Sequence, residues 1–190
     1  MQNNQPKLEK FEIVKFGPYR FIGKSVYASN ARGTSEIFEF FREHSDWVFE
    51  ELNALKEYAS DDKNNIALSH FELYDPEEFM NSFWKDKVYY GKPDLFGYTI
   101  GRFMKADTPV PEGLNYIDIF ELFVAKAWIK SNNKFGMVNQ DLIFDEIRRT
   151  GIYDEASHIF KADVFPVSIE NDISIHKVYM ACEIKNSPQT

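Results

Sequence analysis

Three carboxylates and a set of aromatic rings are the side chains through which this sequence could do chemistry. Glu121 lies in "EGLNYIDIFELFVAKAWI", residues 112–129. Read with a period of two, one face carries Ile117, Ile119, Glu121, Phe123, Ala125, Ala127 and Ile129. A carboxylate on an apolar face is costly to bury unless something pairs with it. Three readings are open: the strand lines a cavity, the chain bends at Glu121, or the period is not two throughout. Glu183 lies in "HKVYMACEIK". There Val178, Met180, Cys182 and Ile184 make a core face, and Lys177, Tyr179, Ala181, Glu183 and Lys185 make the other. That second face is either solvated or lines a pocket. In the pocket reading Tyr179 and Glu183 share a wall. Glu183 could then orient or deprotonate water while Tyr179 hydrogen-bonds a reacting group. Asp163 shares a face with Ile159, Lys161 and Phe165, opposite Phe160, Ala162, Val164 and Val167. The plain reading of Asp163 is a salt-bridged surface residue.

The rings are Trp84, Tyr98, Tyr116, Phe123 and Trp128. Core packing is the usual fate of such residues, but they can also wall a ligand site. Trp84 lies in "MNSFWKDK", an irregular stretch between strands, where it can act as a lid that stacks on a flat or cationic ligand. His44, His70, His158 and His176 are widely spaced and match no zinc-binding pattern. The sequence has no nucleophile elbow, phosphate loop or dinucleotide fingerprint, so neither a metal nor a cofactor is expected. The lone Cys182 falls on a core face and reads as an inert buried thiol.

These residues need elements to hold them. "FEIVKFGPYRFIGKSVYAS" alternates and predicts one long strand over 11–28, kinked at Gly17-Pro18. Thr34 or Ser35 can cap a following helix of about 24 residues. Its apolar stripe is Ile37, Phe41, His44, Val48, Leu52 and Leu55. Strands follow at "IALSHFELY", "DLFGYTIGRFMKA" and the Glu121 stretch. Asn139 can cap a second helix in "QDLIFDEIRRTG", which ends with Arg148, Arg149 and Gly151. Two strands containing Asp163 and Glu183 close the chain. The order strand, helix, strand, strand occurs twice. An α+β fold is predicted, with two pseudo-symmetric βαββ units over about 10–105 and 114–185. Each would put its helix on one face of an antiparallel sheet, leaving a ligand groove between the halves. Residues 1–9 and 186–190 are expected to be disordered flanks of a single domain over 10–185.

Composition narrows the function. The 190 residues include 18 Phe, 10 Tyr and 3 Trp, enough for a substantial core. The formal net charge of -8 argues against direct nucleic-acid binding and favours cationic or neutral ligands. No stretch has the length and apolarity of a membrane span or a signal core. A single cysteine excludes an internal disulfide and fits a cytoplasmic location.

The order of elements resembles the GyrI-like, or AraC-type effector-binding, small-molecule-binding family. "YTIGRFMKADTPVPEGLNYIDI" is similar to its strand signpost, with Gly101, Pro111, Gly113 and Leu114 matching. "FVA" (Phe123 to Ala125) is similar to its Tyr-Ala-Val run, and "TGIY" (Thr150 to Tyr153) to its Ser-Gly-Tyr turn. Asp163-Val164-Phe165 aligns with its Glu-x-Tyr, and "VYMACEIK" with its last strand. Asp163 stands in place of Glu, Phe165 in place of Tyr, and Glu183 where Pro is common. The resemblance covers roughly 10–185 and implies a stand-alone effector-binding domain with no DNA-binding segment ahead of it. It implies a groove that takes lipophilic, often cationic compounds against aromatic walls and an acid. It places Glu121 at a turn, where it would be exposed. Stand-alone members imply two other activities: hydrolysis of cyclopropane-type antibiotics, and topoisomerase inhibition through a protein partner.

Overall fold

In a computed structural model of the chain, the described residues are 6–29, 33–60, 64–70, 95–130, 140–156, 160–165 and 175–185. Trp84 and the proposed cap Asn139 lie outside them. The described residues form β1 (Lys7–Phe16), β2 (Tyr19–Ser29), α1 (Gly33–Ala54), β3 (Asn65–His70), β4 (Leu95–Lys105) and β5 (Asn115–Ile119). Then come β6 (Leu122–Lys130), α2 (Asp141–Arg149), β7 (Tyr153–Glu155), β8 (Lys161–Phe165) and β9 (Ile175–Ile184). The fold is α+β: an antiparallel sheet of nine strands with two helices, among the described residues.

The stretch expected as one kinked strand is two strands. Gly17 adopts φ +89°, and a Cβ there would come within 2.9 Å of the Phe120 carbonyl oxygen, so glycine is required at this crossing. The Glu121 stretch is likewise split, into β5 and β6, with a bend at Glu121. The two breaks lie opposite each other, since Phe16 pairs with Leu122 and Tyr19 with Ile119. The β1/β6 ladder therefore runs on as the β2/β5 ladder.

Strand order is β1-β6-β9-β8-β3-β4-β2-β5, with β7 also on β9. The strand at each edge is the chain neighbour of the strand beside the opposite edge. The sheet thus curls round and closes on itself through the broken ladder. The bend also reverses the alternation. Ile117 and Ile119 turn to the inner face, whereas Ala125, Ala127 and Ile129 pack under α2 with Phe123. The single period-two face drawn through Glu121 does not exist, because the bend shifts the phase by one residue.

The inner face is filled by rings. Phe16 lies 4.8 Å from Tyr19, 4.8 Å from Phe103 and 6.0 Å from Tyr179, centroid to centroid. Phe21 and Phe160 complete the cluster against Phe103. Both faces of β9 are buried at its middle: Tyr179 and Ala181 belong to this inner cluster, and Val178, Met180 and Cys182 pack toward α2.

Helix α1 packs on β2 and β4, where Phe40, Val48 and Leu52 meet Ile22, Ile100 and Met104. Of the stripe expected from the sequence, Val48 and Leu52 are core and Phe41 and Leu55 pack against it; Phe40 and Phe49 join them, and His44 is half-buried against the Phe40 ring. Helix α2 packs on β6 and β7 through Ile143 and Ile147. At its end the Thr150 hydroxyl donates to the Ile147 carbonyl and accepts from the Ile152 and Tyr153 amides, which turns the chain into β7. Nothing in the sequence pattern had marked β7.

Candidate functional site

Strands β8 and β3 pair at the middle of the sheet, between the footprints of the two helices. Cross-strand partners share a face, so the register defines what lies on the helix side. Lys161 pairs with Ser69, and Ser69 with Tyr98. One row along, Val178 pairs with Asp163, Asp163 with Ala67, and Ala67 with Ile100. His176 lies two residues from Val178 on the same face of β9. Alternation alone gives each strand its side. Only the ladder brings Tyr98, Ser69, Lys161, Asp163 and His176 into one patch.

Asp163 is half-buried, and its Oδ2 lies 3.6 Å from Lys161 Nζ. Burial pushes its carboxyl above the usual range, against the opposing pull of the Lys161 ammonium and of His176. Burial also pushes up the Tyr98 phenol, with a further contribution from the nearby Asp163 charge. His176 Nε2 is buried and has no hydrogen-bond partner among the described residues. The patch therefore holds a desolvated carboxylate, a half-buried phenol and an unsatisfied imidazole nitrogen. Such a set can receive a cation and a hydrogen-bonding group beside it.

The other expected site residues lie elsewhere. Glu121 is exposed at the bend and accepts a hydrogen bond from Lys15 Nζ at 2.9 Å. Glu183 is exposed near the end of β9, directly across from Asp154 of β7. Tyr179 is fully buried in the inner ring cluster, with the ammonium groups of Lys126 and Lys177 4.8 and 4.9 Å from its centroid. Tyr179 and Glu183 share a face of β9, but one is core and the other solvated. Tyr116 is half-buried on β5 under the Arg20 guanidinium, 4.3 Å from its centroid. Arg20 Nε and Nη2 donate to the two Asp118 carboxylate oxygens at 2.7 and 2.9 Å, so this is a clamp on β5. Phe123 packs on Tyr153 at 5.1 Å, near the base of α2. Trp128 lies under Lys10 Nζ, 4.2 Å from its ring, on the inner side of the sheet. Of the described candidates, Tyr98 and Asp163 are the pair the fold brings within electrostatic reach.

Ser69, Lys161 and His176 are the residues of this patch that sequence reasoning did not single out. Lys161 had a signal, since alternation put it on the Asp163 face. His176 had none, because its approach to Asp163 depends on the β8/β9 register. No group of residues arranged to hold a metal occurs among the described residues. No helix among them is long and apolar enough to cross a membrane.

No protein-family profile and no curated protein matches this sequence. Among solved structures, SAV2435 bound to tetraphenylphosphonium is similar in fold. It has a TM-score of 0.62 over 92% of this chain and 94% of its own, at 8% identity. An integron cassette protein from the mobile metagenome of Vibrio cholerae, VCH_CASS2, aligns over 95% of this chain and 99% of its own. Its identity is 11% and its TM-score 0.40. The fold is thus one that a solved protein with a small cationic ligand also adopts.

Proposed function

We propose that this protein binds small lipophilic cations on the β3/β8 floor between α1 and α2, with Asp163 as counter-charge and Tyr98 as an aromatic wall. In this reading β2-α1-β3-β4 and β6-α2-β8-β9 are two βαββ units related by a pseudo-dyad, and the floor is the seam where they meet. The order of strands supports it: β3-β4-β2 in one set is matched by β8-β9-β6 in the other, and each set takes its fourth strand from ahead of its partner's first. The observation that carries the functional reading is Asp163, a half-buried carboxylate on the helix face of a central strand. Its internal partner, Lys161, stands at 3.6 Å, a separation that a better-placed cation could improve on. The shared fold with SAV2435, solved with tetraphenylphosphonium, supports the same ligand class. The role that follows is sensing or sequestration of such compounds in the cytoplasm. The hydrolytic alternative needs Tyr179 and Glu183 on one wall and does not enter the proposal.

Titration with tetraphenylphosphonium, followed by calorimetry, tests this reading. Saturable binding is expected, and Asp163→Asn should weaken it by about tenfold or more, the affinity equivalent of one charge-assisted contact. Absence of saturable binding, or equal affinity in the Asn variant, rules the reading out.

A further inference from the structure

His176 Nε2 is a buried polar atom with no hydrogen-bond partner among the described residues. Such atoms are rare in folded proteins, and each one calls for an explanation. A purely structural histidine would be expected to spend this nitrogen on a neighbouring backbone or side-chain group. Here the ring is on the helix face of β9, one row along from Asp163. We infer, on the basis of the binding reading above, that His176 Nε2 is the second anchor of the same site, and that the preferred ligand is a protonated amine bearing an N–H rather than a fully substituted cation.

The chemistry follows from the two groups together. Asp163 selects positive charge. Only the neutral ring can accept a hydrogen bond. A neutral ring has one nitrogen lone pair, and the tautomer with the proton on Nδ1 presents it at Nε2. A protonated amine can donate its N–H to that lone pair while its positive charge lies beside the carboxylate. A quaternary ammonium or phosphonium ion meets the charge requirement but leaves Nε2 buried and unsatisfied.

The probes are N,N-dimethylbenzhydrylamine, protonated at pH 7, and its N-methyl quaternary salt, which share an apolar body and a charge. Calorimetry on the full chain should find the amine about tenfold tighter than the quaternary ion, the equivalent of one hydrogen bond. In His176→Phe, or in His176→Leu should the first variant fold poorly by circular dichroism, the ratio should collapse toward one. A wild-type ratio near one overturns the inference without any variant, and so does a preference that survives both substitutions. In either case binding that still depends on Asp163 leaves the broader reading intact. If neither probe nor tetraphenylphosphonium binds, the broader reading fails and takes this one with it.

Discussion

Asp163 is a residue whose surroundings work against its charge. Burial raises its carboxyl pKa, so it binds a proton more readily folded than unfolded. The sign of the stability effect follows: its contribution to stability falls as pH rises from the unfolded pKa through the folded one. Asp163→Asn should therefore raise the thermal midpoint at pH 7 by a few degrees, about the response to 1 kcal/mol. That advantage should shrink as the pH falls through the raised folded-state pKa, where the native carboxyl becomes protonated. A lower midpoint at pH 7 would mean that the Lys161 pair outweighs desolvation. Ligand affinity runs the other way. Cation binding should weaken on acidification, beginning at a higher pH than for an exposed carboxylate. Cys182 shows burial acting on a thiol, which is pushed up to about 12 while its Sγ donates to the Met180 carbonyl. Native protein should resist iodoacetamide at pH 8 and react only once unfolded. Rapid native alkylation would show that β9 opens locally.

Among the strands, β2 and β4 are held at one point by a pair of glycines. Gly23 faces Gly101, and a Cβ on Gly101 would sit 2.1 Å from the Ile22 carbonyl oxygen. Backbone, not a movable side chain, is what it would strike. Gly101→Ala should cost about 3 kcal/mol or more, read as a shift in the urea midpoint with little change in slope. A shift under about 0.5 kcal/mol would show that the ladder relaxes there without strain. The need for glycine at these two positions could not be read from either strand alone, since each reads as an ordinary β pattern with one weak residue. The helices were more legible. The apolar stripe of α1 and the Arg148, Arg149 and Gly151 end of α2 are local signals, and both helices form where those signals stand. The bend at Glu121 was not legible from alternation, because two strands of opposite phase, joined by two residues, mimic one strand of constant phase.

The whole molecule depends on the closure of its sheet. Phe16, beside one break in the ladder, touches rings from β2, β4 and β9 across the inner face. Phe16→Ala should cost about 3–5 kcal/mol, as for other buried aromatic truncations. Because β1, β2, β4 and β9 share that cluster, near-UV and far-UV circular dichroism should report one coincident unfolding transition. Two separated transitions would show that the shared core is not cooperative.

By itself the sequence determined what is local: which stretches other than β7 are extended, where the helices run, that the chain is α+β, and that Asp163 and Lys161 share a face. Those follow from period and turn residues within a few positions of one another, whereas the expected caps Thr34 and Ser35 lie inside α1, which starts at Gly33. The tertiary structure decided what depends on register between distant strands. It filled the inner face with rings and left Tyr179 and Glu183 in unlike surroundings, one core and one solvated. It brought Tyr98, Asp163 and His176, from three different strands, onto one floor. Long-range pairing carries that information because a side chain's neighbours across a sheet are set by hydrogen-bond register, which no single strand encodes.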